Sequence, residues 1–75
     1  MKIYGFFKDS NEPNLVEQVT LEVDASELRD LAGFFLKSAE EMDSDTEWDH
    51  EHLCDYLGHV IEQDLVLYNK NKGQK

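Results

Sequence analysis

The feature that most constrains this chain is a stripe of apolar residues at helical spacing near its middle. Its members are Leu28, Leu31, Ala32, Phe35, Leu36, Ala39 and Met42. Intervals of three and four residues put them on one face of an α-helix, which we expect to span about residues 25–42. Asp24 and Glu27 have the spacing of an N-cap residue and the reciprocal acid three positions later. A helix of this kind requires another element to cover its apolar face.

Two segments before the helix are predicted to be strands. Residues 1–7 (MKIYGFF) are rich in β-branched and aromatic side chains, which favour strands. Residues 15–23 alternate apolar with polar side chains, as a half-buried strand does, through Val19, Leu21 and Val23. The intervening residues 8–14 contain Asp, Ser, Asn and Pro, which favour a turn. We therefore expect a hairpin.

The segment of residues 46–57 fits two patterns. With a period of two, its aromatic, histidine and cysteine side chains share one strand face: Trp48, His50, His52, Cys54 and Tyr56. With a period of 3.6, apolar residues from Leu53 to Ile61 form a stripe on a helix of about residues 49–62. Glycine is unfavourable inside a helix, and Gly58 would lie in the middle of this one. The strand interpretation is therefore favoured.

The end of the chain completes the predicted architecture. Residues 64–69 are expected to form a last strand, and residues 70–75 a flexible polar tail. The order β-β-α-β-β predicts a single α+β domain over residues 1–69. We expect a small antiparallel sheet of about four strands with one amphipathic helix packed on one face. The other face of the sheet would meet solvent or a partner.

Composition excludes several functions. The chain has 17 acidic and 7 basic residues and a net charge of −10, so it lacks the positive surface that binds nucleic acid. No apolar run approaches the roughly 20 residues of a membrane-spanning helix. The opening residues lack the long apolar region of a secretory signal. With a single cysteine, Cys54, the chain has no internal disulfide, and we expect a cytoplasmic protein with no membrane partner.

One cluster of residues could carry metal chemistry. His50, His52 and Cys54 would project from the same side of a strand, and imidazole and thiolate are good zinc ligands. One strand cannot supply a full tetrahedral set, so we expect no metal and no other cofactor, and keep a small metal-binding or regulatory module as an alternative. Acidic neighbours would raise the pKa of Cys54 and oppose thiolate formation. We therefore expect no enzymatic activity.

The strongest functional signal is negative charge. Residues 40–55 contain eight acidic residues and no lysine or arginine. Such a block repels itself, and a cationic partner would supply the missing counter-charge. Trp48 lies inside the block, and tryptophan is a typical interface anchor. The predicted partner-binding residues are Glu41, Asp43, Asp45, Glu47, Trp48, Asp49, Glu51 and Asp55.

Four segments carry a family resemblance: MKIYGFF, VTLEVDASELRDLAGFFLKSAEEM, HEHLCDY and DLVLYN. In this order, with the acidic stretch between them, they resemble the small immunity proteins of bacterial polymorphic toxin systems, in particular the immunity protein 32 family. The resemblance implies a cytoplasmic antidote that binds a cognate protein toxin and blocks it. We therefore expect a non-catalytic toxin inhibitor that covers a basic site with its acidic surface. A structural homodimer, paired through the uncovered sheet face or an edge strand, is a further alternative.

Overall fold

The computed structural model describes residues 1–72 as two short sheets and two helices. The elements are β1 (Tyr4–Gly5), β2 (Asn14–Leu15), α1 (Ala25–Ser44), β3 (His50–His52), α2 (Leu53–Leu57) and β4 (Val66–Tyr68). Residues 70–72 form a turn, and the rest of the predicted tail, residues 73–75, lies outside the described residues. None of these helices is both long enough and apolar enough to cross a bilayer.

The α+β class is confirmed, but the predicted four-stranded sheet is wrong. β1 pairs antiparallel with β2, where Tyr4 lies opposite Leu15. β3 pairs antiparallel with β4, where His50 lies opposite Tyr68. These are two separate two-stranded sheets. Each strand is only two or three residues long, against a usual length of about five or six, and no backbone hydrogen bond among the described residues joins the two pairs.

The second predicted strand is mostly unpaired. Only Asn14–Leu15 pairs with β1, and one further backbone hydrogen bond joins the Val16 N–H to the Ile3 carbonyl at 2.8 Å. Residues 18–24 form no regular secondary structure, and their alternating apolar side chains are exposed. The period-two pattern is present in the sequence, but within residues 1–72 no strand pairs with residues 18–23 and their apolar side chains remain exposed.

Helix α1 begins where the capping pattern predicts. The Glu27 N–H donates to Asp24 Oδ1 at 2.8 Å, and the Asp24 N–H donates to Glu27 Oε1 at 3.1 Å. These reciprocal bonds satisfy two of the amides that a helix start leaves without partners. The helix continues to Ser44, two residues beyond the predicted end, and the Asp45 N–H bonds to the Glu41 carbonyl at 2.9 Å.

The buried face of α1 overlaps only one edge of the predicted stripe, where Leu31 and Met42 are half-buried. Phe34 is fully buried and Ser38 nearly so, whereas Leu28, Phe35 and Leu36 remain 53%, 45% and 67% exposed. At about 100° per residue, the buried face is turned roughly 90° from the centre of the stripe. The reason is that the Tyr56 ring packs against Phe34, with 5.4 Å between ring centroids, and holds that side of the helix against α2.

The ambiguous segment is part strand and part helix. The period-two interpretation holds for His50–His52 alone, and the helix α2 follows at once over Leu53–Leu57. Cys54 and Tyr56 therefore do not share a strand face with the histidines, and the helix over residues 49–62 is also wrong. Gly58 ends α2 in the left-handed region with φ 80°, and its N–H bonds to the Cys54 carbonyl at 3.0 Å. Glycine adopts this conformation without a Cβ penalty.

Candidate protein-binding site

A groove of about 450 Å³ lies where the C-terminal end of α1 meets β3. We call it the acidic groove. Its lining residues are Glu41, Ser44, Asp45, Trp48, His50 and Glu51. Four of the eight predicted partner-binding residues are among them. Because α1 ends at Ser44 and β3 begins at His50, the short connection turns back and brings these carboxylates to one place.

Trp48 is fixed in the groove by three hydrogen bonds. Its indole Nε1–H donates to Glu41 Oε1 at 3.1 Å. Its backbone N–H donates to the Asp45 carbonyl at 3.1 Å, and its own carbonyl accepts from Asn69 Nδ2 at 2.8 Å. The side chain is half-buried. Trp48 therefore presents a positioned ring to the groove.

The carboxylates of the groove are oriented by neighbouring groups. Asp45 Oδ1 accepts from the Glu47 N–H at 2.9 Å, and Glu51 Oε1 accepts from the His52 N–H at 3.0 Å. The second oxygen of Glu41 lies 3.4 Å from Lys37 Nζ, one turn earlier on α1. Each acid thus keeps at least one oxygen lone pair available while its side chain is restrained. Restrained carboxylates lose less entropy when they bind a cation.

The other four predicted residues lie outside the groove. Asp43 and Glu47 are exposed. Asp55 lies on α2, where it lines a second cleft of about 310 Å³ with Cys54, Gly58, His59 and Val60. The Asp49 carboxylate already contacts two groups of its own chain: Oδ2 lies 2.6 Å from His50 Nδ1, and Oδ1 lies 3.3 Å from Lys72 Nζ. Hydrogen bonds from His50 and Lys72 lower the pKa of Asp49.

A separate cluster brings His52 and Cys54 to Asp64. His52 Nδ1 lies 2.6 Å from Asp64 Oδ2, and the Cys54 thiol donates to the same oxygen at 3.4 Å. The expected third ligand, His50, points elsewhere: its Nδ1 bonds to Asp49, and its ring stacks on Tyr68 with 4.9 Å between centroids. The sequence does not indicate Asp64 as a member of this cluster. The pairing of β3 with β4 brings Asp64 to His52, and residues twelve positions apart have no local spacing pattern that predicts such a contact.

The three members of this cluster influence one another's protonation. The hydrogen bond to Asp64 raises the pKa of His52. Burial, followed by the hydrogen bond to Asp64, raises the pKa of the Cys54 thiol. Burial also acts to raise the pKa of Asp64, but the hydrogen bonds it accepts from His52 and Cys54 outweigh burial and lower it. The thiol therefore stays protonated at neutral pH, a poor state for a nucleophile.

Comparison with known proteins adds no relative: no protein-family model and no curated protein matches the sequence, and no solved structure matches the fold. The resemblance to immunity proteins stays a prediction. A functional proposal for this chain therefore rests on the geometry and charge of its own residues.

Proposed function

We propose that this chain is a non-catalytic binding protein that takes a cationic segment of a protein partner into its acidic groove. The observation that supports this proposal is the convergence of Trp48 with the carboxylates of Glu41, Asp45 and Glu51. An aromatic ring beside several carboxylates suits one kind of side chain above others, a long cation with an apolar stem. Arginine and lysine both have that form.

Arginine fits the groove better than lysine. A guanidinium is planar, donates to a carboxylate through two parallel N–H bonds and stacks on an indole ring. Cation–π contacts with tryptophan contribute about 0.5–2 kcal/mol, depending on how far water is excluded. The restrained carboxylates of Asp45 and Glu51 supply acceptors beside the ring. An arginine of the partner would replace Lys37 as the main cation at Glu41, because the pair with Lys37 is exposed.

The charge of the C-terminal half supports the same proposal. Residues 40–69 contain ten acidic residues and no lysine or arginine. The negative electrostatic potential of these residues attracts a basic partner before contact and accelerates association at low salt. The acids outside the groove, Asp43, Glu47, Asp49 and Asp55, would act in this long-range step. Trp48 would supply the desolvated contact area.

The resemblance stated above suggests the class of partner. An immunity protein acts by covering a toxin, and a toxin that binds nucleic acid or another anionic substrate has a basic active-site region. The groove accommodates one or two side chains of such a region. A stable complex buries about 800 Å² on each partner, so the contact would extend well beyond the groove. In this proposal, the chain inhibits its toxin by occlusion.

Nuclear magnetic resonance locates the cation site directly. We would titrate the ¹⁵N-labelled chain with an oligoarginine peptide and with an oligoglutamine peptide of equal length. Saturable shifts centred on the Trp48 indole and on the amides of Asp45 and Glu51 are expected with oligoarginine alone. Shifts spread evenly over all acidic positions, without saturation, would show only a counter-ion atmosphere and would overturn the proposal.

A second candidate function, a small metal-binding module, is supported by the cluster of His52, Cys54 and Asp64. Their ligand atoms lie within 4.8 Å of one another. Asp64 Oδ1 accepts from the backbone N–H groups of Cys54 and Leu65, at 3.1 and 2.9 Å, which turns Oδ2 toward the imidazole and the thiol. Carboxylates oriented in this way are typical of metal sites. Zinc takes nitrogen, sulfur and oxygen ligands, and water would complete the tetrahedron.

Calorimetric titration with Zn²⁺ tests this second candidate. One ion per chain is expected, and Asp64→Asn and Cys54→Ser should each weaken binding by at least about tenfold. His59→Gln is the matched control, because His59 is exposed and lies outside the cluster. If His59→Gln weakens binding as much as Asp64→Asn does, or if no saturable binding occurs, the cluster is not a metal site.

A further inference from the structure

The chain exposes more surface than a folded monomer of its size. Its accessible area is 6630 Å², whereas a monomer of 8.7 kDa exposes about 4700 Å². Its radius of gyration is 13.5 Å, against about 11 Å for a compact domain of this length. Phe34 is the only apolar side chain that is fully buried among the described residues. A single copy therefore leaves roughly 1900 Å² of surface that a compact fold would cover.

Six of the fifteen large apolar side chains that the structure exposes lie in two segments that are consecutive in the chain. One is the outer face of α1, which consists of Leu28, Ala32, Phe35, Leu36 and Ala39. The other is the extended segment of residues 18–23, with Val19, Leu21 and Val23 exposed. Because this segment leads directly into α1 through Asp24, the two surfaces adjoin along the chain. We call them together the apolar face.

The extended segment also has unused backbone groups. The N–H and C=O groups of residues 18–23 make no hydrogen bond with any described residue. An unpaired segment with alternating side chains is a template for pairing with another strand. Antiparallel pairing of this segment with the same segment of a second copy, about a two-fold axis near Leu21, satisfies both chains at once.

The charge distribution permits a second copy at this face. Residues 1–39, which contain the apolar face, hold seven acidic and four basic residues, while the ten acids of residues 40–69 lie in the other half of the sequence. Two copies that meet through the apolar face bring their less charged halves together. A standard interface buries about 800 Å² on each partner, less than half of the roughly 1900 Å² of excess surface, so the apolar face needs to hold only part of that excess.

We propose that this chain forms a symmetric homodimer through its apolar face, with residues 18–23 of the two copies paired antiparallel and the outer faces of α1 packed beside them. The dimer completes the core that one copy lacks, so folding and association are coupled. A second copy is favoured over a foreign protein because it brings an identical unpaired segment and an identical apolar helix face, so one contact covers both. The acidic groove does not take part.

Sedimentation equilibrium over a wide range of concentration tests the dimer. The unaltered chain should sediment as a dimer, and Leu36→Glu should weaken association by at least about 100-fold because it buries an unpaired charge. Val60→Glu is the matched control, because Val60 is also apolar and exposed, at 94%, but lies outside the apolar face. An unaltered chain that is monomeric at every concentration overturns the proposal, as does equal weakening by the two variants.

Cross-linking tests the register of pairing in the assembled dimer. In a Cys54→Ser background, Leu21→Cys should form an intermolecular disulfide under mild oxidation, because the two-fold axis brings position 21 next to its copy. Val60→Cys should not. If the two variants cross-link at the same rate, the contact is random collision and the proposed interface is wrong. Cation binding in the acidic groove is measured in a separate experiment. A chain that is monomeric but still binds oligoarginine in the groove would therefore contradict the dimer and leave the proposed function supported.

Discussion

The hydroxyl of Tyr56 lies directly over Gly33 of α1, so close that a Cβ at position 33 would be 2.6 Å from it. The next atom of that side chain, Cζ, would be 3.7 Å away, an ordinary contact. Gly33 is thus the position at which α2 approaches α1 through an aromatic ring. The same ring packs on Phe34, so this contact selects the face of α1 that becomes buried.

Gly33→Ala should therefore destabilise the fold, even though alanine is the better helix former. In a Tyr56→Phe background the clash is removed, and the same substitution should raise the free energy of unfolding by up to about 1 kcal/mol. Urea denaturation of the four proteins forms a double-mutant cycle that isolates the contact. Equal effects of Gly33→Ala in the two backgrounds would mean that the hydroxyl does not restrict this position.

Asp24 should contribute measurably to stability through the capping box. We expect Asp24→Ala to lower the free energy of unfolding by about 1 kcal/mol, because the amide of Glu27 loses its acceptor. Asp30→Ala is a suitable control, since Asp30 is an exposed acid on the same helix and lies outside the capping box. Thermal denaturation followed by circular dichroism measures both. A cap variant no less stable than the control would refute the assigned role.

The pair formed by His52 and Asp64 gives the fold a defined pH dependence. The folded state raises the pKa of His52 from 6.5, so the stabilisation is fully present below that value and is lost as pH rises through the folded-state pKa. It lowers the pKa of Asp64 from 3.8, so the stabilisation is present above that value and is lost as pH falls through the folded-state pKa. The pair therefore stabilises most strongly between pH 3.8 and 6.5.

Titration of the His52 ring by nuclear magnetic resonance measures this effect. Asp64→Asn removes the negative charge that holds the proton, and the pKa of His52 should fall in that variant. Chemical denaturation at a series of pH values should show the same variant losing part of its stability in the acidic window. An unchanged His52 pKa in Asp64→Asn would mean that the hydrogen bond at 2.6 Å does not form in solution.

Local patterns in the sequence predicted where helices begin and end in this chain, but not the extent of its strands. The start of α1 follows from Asp24 and Glu27 alone, because a capping box involves residues only three positions apart. Gly58 is unfavourable in a helix interior, as the sequence indicates, and it ends α2. What failed depends on contacts between distant residues: the joining of the strand pairs into one sheet, the pairing expected for residues 18–23, and the face of α1 that Tyr56 selects at Gly33.

The candidate site is likewise predictable from the sequence only in part. Acid density and the position of Trp48 within it can be seen in the sequence. Which acids converge cannot, because the turn between α1 and β3 selects Glu41, Asp45 and Glu51, while Asp49 turns away to His50 and Lys72. Periodicity also cannot distinguish an apolar stripe that faces the core from one that faces outward, and most of the stripe of α1 is exposed, with only Leu31 and Met42 half-buried.

The fluorescence of Trp48 tests the acidic groove most directly, because it is the only tryptophan of the chain and lies in the groove itself. Titration with an oligoarginine peptide should produce a saturable change that weakens as salt is added. Glu51→Gln should weaken the response about tenfold, and Glu62→Gln, the same change at an exposed site outside the groove, should leave it nearly intact. A response that never saturates, or one that both variants reduce equally, would contradict a defined cation site at Trp48.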